Sequence, residues 1–227
     1  MPITLYELAA ADPKLVFSPY CWRIRFALAH KDLPAKRIAW RFTETNRIAF
    51  SNQGKVPVLV DGRTVVHDSW AIAHYLETTY PNRPALLPNG DANARFINAW
   101  ADTILHGALT PLIMADIHDL LHVKDQAYFR STREARFGRK LEDFRPEQAM
   151  HREALHRTLT PLRWTLRSQE WIGGEHPDYT DYIVAGALQW ARCTSRAVVL
   201  EQDDPVFAWF TRVLALFDGL GANAVTV

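Results

Sequence analysis

Apolar positions follow two different rhythms along this 227-residue chain. Up to about residue 80 they alternate or run in short β-branched groups, and from about residue 92 they return every three to four positions. Residues 3–8 have the β-branched and aromatic content of a strand. Ile38 and Trp40 alternate with Arg37 and Arg41 in a second strand over 35–41. Between the two, Cys21, Ile24 and Leu28 share one face of a helix running from Trp22 to His30, with Arg23 and Arg25 off that stripe. Ser18 followed by Pro19 reads as the N-cap and first helical residue. Residues 42–53 are polar and irregular, a short helix or a loop. Val58-Leu59-Val60, Asp61-Gly62 and Arg63-Thr64-Val65-Val66 then predict a β-hairpin whose Asp61-Gly62 pair supplies a type I′ turn. Asp68-Ser69 opens a helix carrying Ile72, Ala73 and Leu76 as far as Tyr80. Strand, helix, strand, loop, hairpin, helix is the order of a compact mixed sheet with helices on its faces.

Pro81, Pro84, Pro88 and Asn89-Gly90 mark residues 82–92 as a linker, dividing the chain into domains 1–81 and 93–227. The second domain reads as all helical. Phe96, Ile97, Trp100, Ile104 and Ala108 lie on a long helix to about Leu121, 128–144 is rich in arginine, and 155–166 is amphipathic. Asp178 caps an apolar helix over 182–190, with Asp181 at N3. Phe207 to Phe217 forms a last helix, stopped by Gly219 and Gly221.

Composition narrows the function. Hydrophobic residues make up 48% and charged residues 22%, with a net charge of +1, so no overall field recruits nucleic acid or an anionic membrane. The apolar run at 182–191 is too short to span a bilayer. Two distant cysteines, Cys21 and Cys193, and no secretory leader predict a soluble protein of the reducing cytoplasm.

The start of the first helix is the chemically suggestive point. Its unpaired N–H groups and partial positive charge favour an anion, and a Ser18 hydroxyl can donate to one. Capping is the commoner job of such a serine. Cys21 sits on the apolar stripe and reads as a buried, inert thiol; Cys193 has no motif around it. His118 and His122 stand four apart without a third metal ligand at a recognised spacing, so no metal site is expected. Arg130, Arg133, Arg136 and Arg139 form a row with Glu134, Glu142 and Asp143 among them, the pattern of a salt-bridged surface segment. Trp164, Trp190 and Trp209 read as core.

Taken together, the Ser18 cap, Val56-Pro57, the hairpin, Asp68-Ser69 and the all-helical second half resemble the cytosolic glutathione transferases over essentially the whole chain. Ser18-Pro19-Tyr20 with Trp22-Arg23, Asp68-Ser69-Trp70, Arg136-Phe137-Gly138-Arg139, Asp203-Asp204-Pro205 and Asp218-Gly219-Leu220-Gly221 are similar to the bacterial glutathione-dependent β-aryl etherases. Those etherases are expected to continue beyond a point matching Val227, which implies a more open pocket here. The resemblance implies an N-terminal thioredoxin-like βαβ-ββα domain followed by a C-terminal helical bundle. It further implies glutathione as co-substrate, with Ser18 activating the thiol. Val56, before a cis-Pro57, would pair with the cysteinyl unit, and Ser69 would take the γ-glutamyl carboxylate. Asp68 would take the ammonium, and Gln53 or Lys55 the glycyl carboxylate. Tyr20, Trp22, Trp100, His106 and Met114 would line a pocket for a hydrophobic aromatic partner substrate, and the protein would be a homodimer. Generic conjugation and β-aryl ether cleavage are the reactions implied. A thiol-disulfide or dehydroascorbate-type reductase or peroxidase, suggested by Ser-Pro-Tyr-Cys as a glutaredoxin-like motif missing its first cysteine, a non-catalytic binder of aromatic ligands, and a regulatory interaction protein stay open.

Overall fold

The computed structural model describes residues 2–227. Its first unit is a four-stranded sheet in the order β2-β1-β3-β4. Strand β1 (Ile3–Leu8) pairs in parallel with β2 (Ala35–Trp40) and antiparallel with β3 (Val58–Asp61), which pairs antiparallel with β4 (Thr64–His67). The parallel β1–β2 pair is joined through helix α1 (Pro19–His30), the crossover that a parallel connection requires. Helix α2 (Ser69–Thr79) follows the hairpin. The mixed sheet with flanking helices is thus as the pattern predicts.

The hairpin turn differs in register. Asp61 pairs with Thr64, so the tip is Gly62-Arg63, and only Gly62, at φ +60°, is left-handed. One positive φ at the first central position belongs to a type II′ turn, not type I′. Asp61 is instead held by its side chain, which accepts from the Tyr75 and Tyr80 hydroxyls. The irregular 42–53 segment contains a 3₁₀ turn at Thr45–Ser51.

Helices build the rest: α3 (Ala92–Trp100), α4 (His106–Leu120), α5 (Val123–Phe137), α6 (Gln148–Thr158), α7 (Thr160–Thr165), α8 (Tyr179–Thr194) and α9 (Pro205–Gly219). The expected long helix from Phe96 is real but interrupted. Residues 101–105 wind as a π-turn, with the N–H of His106 bonding the carbonyl of Ala101 five residues back. The arginine-rich stretch breaks at Gly138, left-handed at φ +67°, and resumes as a 3₁₀ turn over Leu141–Glu147. In α9 the helical path is lost at Leu216, before Gly219, with Phe217 and Asp218 both at positive φ. Among the described residues no helix is long and apolar enough to cross a membrane.

Helix α8 is the central post. Tyr179, Asp181–Ala185, Ala187 and Leu188 are fully buried, the all-round apolarity expected of a helix enclosed by others. Its start is fixed as predicted: Asp178 accepts from the N–H of Thr180, and Asp181 accepts from that of Asp178. Asp181 reaches further, accepting also from the N–H of Ile172 and Gly173 and from Trp209 Nε1. Helix α1 lies directly against α8. Gly186 makes this approach possible, because a Cβ there would stand 2.6 Å from the carbonyl oxygen of Pro19.

Polar bridges tie the sheet unit to the helices. Arg23, expected off the buried stripe, is fully buried. Its guanidinium donates to Asn98 Oδ1 at 2.8 Å and Asp102 Oδ1 at 2.7 Å. The Tyr179 hydroxyl donates to the Ser69 carbonyl. The linker is clamped as well: Glu77 accepts from the N–H of Leu86 and Leu87, and the Leu86 carbonyl accepts from that of Tyr179.

Candidate active site

A cleft of about 490 Å³ lies between the C-terminal ends of β1 and β2, the loop leading into β3, and helices α4 and α5, within the range of small-ligand sites. Ser18 is on its wall. It is the N-cap of α1 and 4% exposed, and its Oγ accepts from the Cys21 N–H at 3.4 Å. A bond that long is weak, and the hydroxyl proton remains free to turn toward an anion at the helix start.

Opposite, the Val56-Pro57 peptide bond is cis, as the resemblance implied. Val56 and Lys55 both line the cleft. Gln53 does not reach it, contrary to expectation. Its amide is used on its own loop, with Oε1 accepting from the Lys55 N–H and Nε2 donating to Ser51 Oγ and the Lys55 carbonyl. Gln53 shapes the loop that presents Lys55 and Val56.

Asp68 and Ser69 stand at the start of α2. Asp68 is the N-cap, at φ +72°, and accepts from the N–H groups of Trp70 and Ala71. Its charge is near enough to act on Tyr20. Ser69 is buried.

The far wall is aromatic and soft. Tyr20, His106, Met114 and Trp190 contribute from α1, α4 and α8, and Phe42, Tyr128 and Phe129 close the other end. His106 packs edge-on to both Tyr20 and Trp190, with Nδ1 3.4 Å from the Tyr20 hydroxyl. Burial, with the Arg23 charge adding to it, pushes His106 down to about 3, so its ring is neutral near neutral pH. Burial also raises Tyr20, followed by the charge of Asp102, which keeps the phenol protonated.

Two expected wall residues are elsewhere. Trp22 is 1% exposed and faces the core, where its Nε1 donates to the Val16 carbonyl and its ring tilts on Phe26. Trp100 also stays off the wall, because the π-turn at 101–105 separates it from His106. One extra residue in a turn rotates what precedes it by about 100° relative to a regular helix.

A model of the glutathione S-transferase C-terminal domain matches residues 92–209, just over half of the chain, and one of the N-terminal domain matches 17–79. The chain belongs to the glutathione S-transferase family. It is similar to glutathione S-transferase Z2 of Arabidopsis thaliana, 35% identical over 94 residues that cover 39% of this chain and 41% of that protein. A zeta-class glutathione S-transferase of Euphorbia esula is 34% identical over 110 residues, 44% of this chain and 48% of that one. The chain therefore matches less than half the length of these curated relatives. Solved structures align more fully. A glutathione S-transferase of Ceriporiopsis subvermispora in complex with glutathione has a TM-score of 0.80 at 25% identity, covering 96% of this chain and 97% of that one. A glutathione transferase from Phanerochaete chrysosporium has a TM-score of 0.77 at 25% identity, covering 96% and 92%.

Sequence reasoning missed the arginine side of this family cleft. Arg130 and Arg139 do form the predicted surface bridges, to Glu134 and Glu142 and to Glu147. Arg133 and Arg136 instead line the cleft. A signal was present in the spacing: Arg130 has Glu134 and Arg139 has Asp143 four residues on, whereas Arg133 has Phe129 and Phe137 at its two i±4 positions. His118 contacts Asp119, and His122 caps α5. Among the described residues no cluster of three or more potential metal ligands occurs.

Proposed function

We propose that the chain is a glutathione-dependent transferase in which Ser18 steadies the glutathione thiolate for attack on a hydrophobic aromatic electrophile. The position of Ser18 carries this reading: it caps α1 on the wall of a cleft shared with the cis Val56-Pro57 edge and an aromatic face. The glutathione complex named for the Ceriporiopsis subvermispora relative supports the choice of co-substrate. In this assignment Val56 pairs its backbone with the cysteinyl unit, and Lys55 meets the glycyl carboxylate. Asp68 and Ser69 hold the γ-glutamyl end. A free thiol has a pKa of about 8.5, so a hydrogen bond to the thiolate and the field of the helix start raise the reactive fraction. The thiolate forms a carbon–sulfur bond to the electrophilic carbon, the bond to the aryloxide or halide breaks, and that group departs with the electron pair. The thiol proton passes to solvent.

Generic conjugation and β-aryl ether cleavage both fit this scheme, the second on the motif resemblance. Tyr20, His106 and Met114 remain the proposed contacts for the aromatic partner. A twofold homodimer in the cytoplasm is part of the same reading, and light scattering at about the 26.0 kDa of one chain would contradict the dimer. The reductase alternative is disfavoured by Cys21, which is fully buried and whose thiol burial pushes up to about 12, with the Glu7 charge acting the same way. A non-catalytic aromatic binder would use the same walls and differs in giving no turnover.

The test is the ultraviolet thiolate absorbance of bound glutathione against pH. Ser18→Ala should keep the fold and raise the apparent thiol pKa by about one unit, roughly 1.4 kcal/mol. An unchanged curve would remove Ser18 from the mechanism.

A further inference from the structure

The cleft is unevenly charged. Lys55, Arg133 and Arg136 line it against a single carboxylate, Asp102, and Asp102 is already bound by the buried Arg23 and by Asn98. Arg133 lies over the rings of Phe129 and Phe42, at 4.7 Å and 5.2 Å from their centroids. Its hydrogen bond on this wall goes to the Thr132 hydroxyl. Arg136 lies over Phe137. Neither arginine meets a carboxylate among the described residues, although Arg130 and Arg139 on either side both do. Desolvation pulls Arg133 below the ordinary guanidinium range, Tyr128 opposes this through its charge and a hydrogen bond, and the neighbouring Arg136 charge adds a smaller lowering. Arg133 is half-buried and Arg136 exposed, so ring faces and solvent hold their guanidiniums, whose N–H donors stay open to an anion in the cleft.

Glutathione does not use these two arginines in the assignment above. Its glycyl carboxylate is met by Lys55 and its γ-glutamyl end by Asp68 and Ser69. From the cleft geometry we infer that the partner substrate is an aromatic anion, its ring along the wall that runs from Tyr20, His106 and Met114 to Tyr128 and its carboxylate or equivalent acidic group on Arg133 and Arg136. The inference rests on the transferase reading and narrows its substrate class. The planar guanidinium suits a carboxylate, which it can grip with two parallel N–H donors.

Binding of two finished conjugates tests this without relying on turnover. The first carries a 4-carboxy-2-nitrophenyl group on the sulfur of glutathione, and the second is its neutral carboxamide. Calorimetric titration should give the carboxylate conjugate an advantage of about 10- to 100-fold, the range for a hydrogen bond to a charged group. Arg133→Gln with Arg136→Gln should bring the two conjugates close to equality while glutathione alone binds as before. Arg133→Lys should restore part of the advantage. Equal binding of the two conjugates to the unaltered protein would overturn the inference while the transferase reading stands. So would an advantage that survives the double substitution. If Arg133→Gln weakens glutathione itself as strongly, the guanidinium serves the tripeptide and the inference fails. If the unaltered protein does not bind glutathione at all, the transferase reading falls and takes this inference with it.

Discussion

Gly186→Ala tests how closely the reactive end of α1 depends on its contact with α8. The new methyl carbon would stand 2.6 Å from the Pro19 carbonyl oxygen, 3.1 Å from Arg23 Cγ and 3.3 Å from the Arg23 nitrogen. A carbon–oxygen contact settles at about 3.3–3.6 Å, so α1 must retreat by roughly 0.7–1 Å. The nearest atom is backbone, one residue from Ser18, and cannot rotate away. Alanine gains about 1 kcal/mol over glycine inside a helix, and overpacking costs about 1–3 kcal/mol, so the steric term should win by up to about 2 kcal/mol. For a chain of this size that lowers Tm by up to roughly 8 °C. The shift of Ser18 should lower glutathione-dependent turnover of a suitable electrophile by up to about 100-fold, the effect of a ~1 Å misplacement. Gly107→Ala is the matched control for stability alone, since Gly107 lies on the cleft wall: it too lies inside a helix, nothing stands within 4 Å of its would-be Cβ, and it should gain about 0.5–1 kcal/mol. Thermal denaturation of the three proteins at one concentration decides the stability, and initial rates of Gly186→Ala against the unaltered protein decide the activity. If Gly186→Ala is as stable as Gly107→Ala and as active as the unaltered protein, the close approach does not govern the site.

Asp181→Asn should cost about 3–5 kcal/mol in urea denaturation, because an amide nitrogen would face N–H donors where a carboxylate now accepts four of them; a loss under about 1 kcal/mol would refute the account. His106 sets an acid limb. Its folded value is lowered from 6.5 to about 3, so the unfolded chain binds the extra proton and stability falls as pH drops from 6.5 toward 3, by up to about 1.4 kcal/mol per unit. His106→Asn should flatten that limb, and denaturation midpoints at several pH values between 4 and 7 would show it. Cys21→Ser should leave transferase turnover largely intact, and loss of a substantial disulfide-exchange activity in that variant would instead favour the reductase.

Much of this architecture was readable because local chemistry and fold agree. Ser18-Pro19, Asp68-Ser69 and the Asp178–Asp181 box mark helix starts by hydrogen bonding that is local in sequence. What could not be read depends on partners far along the chain. Arg23 looks like a surface residue until Asn98 and Asp102, more than seventy positions on, meet its guanidinium inside the protein. Trp22 and Trp100 were matched to a ligand by family position, but core packing claims the first and a change of helical pitch turns the second. Gln53 has the right chemistry for a carboxylate and is occupied by its own loop. For Arg133 and Arg136 the spacing held a clue, the missing acidic neighbours, that the even i, i+3 row concealed.

The wider turn at 101–105 also bears on how such a cleft can change over generations. It is a stretch of helix holding one residue more than a regular path needs. Removing Ile104, which is exposed and off the cleft wall, would let 92–120 run at a single pitch, re-aiming the half that holds Asn98 against the half that holds His106 and Met114. The anchor for Arg23 and the wall facing the substrate would then rotate past each other by about a quarter turn, with no side chain exchanged. A one-residue deletion is therefore a shorter mutational route to a differently shaped cleft than any series of substitutions along its walls.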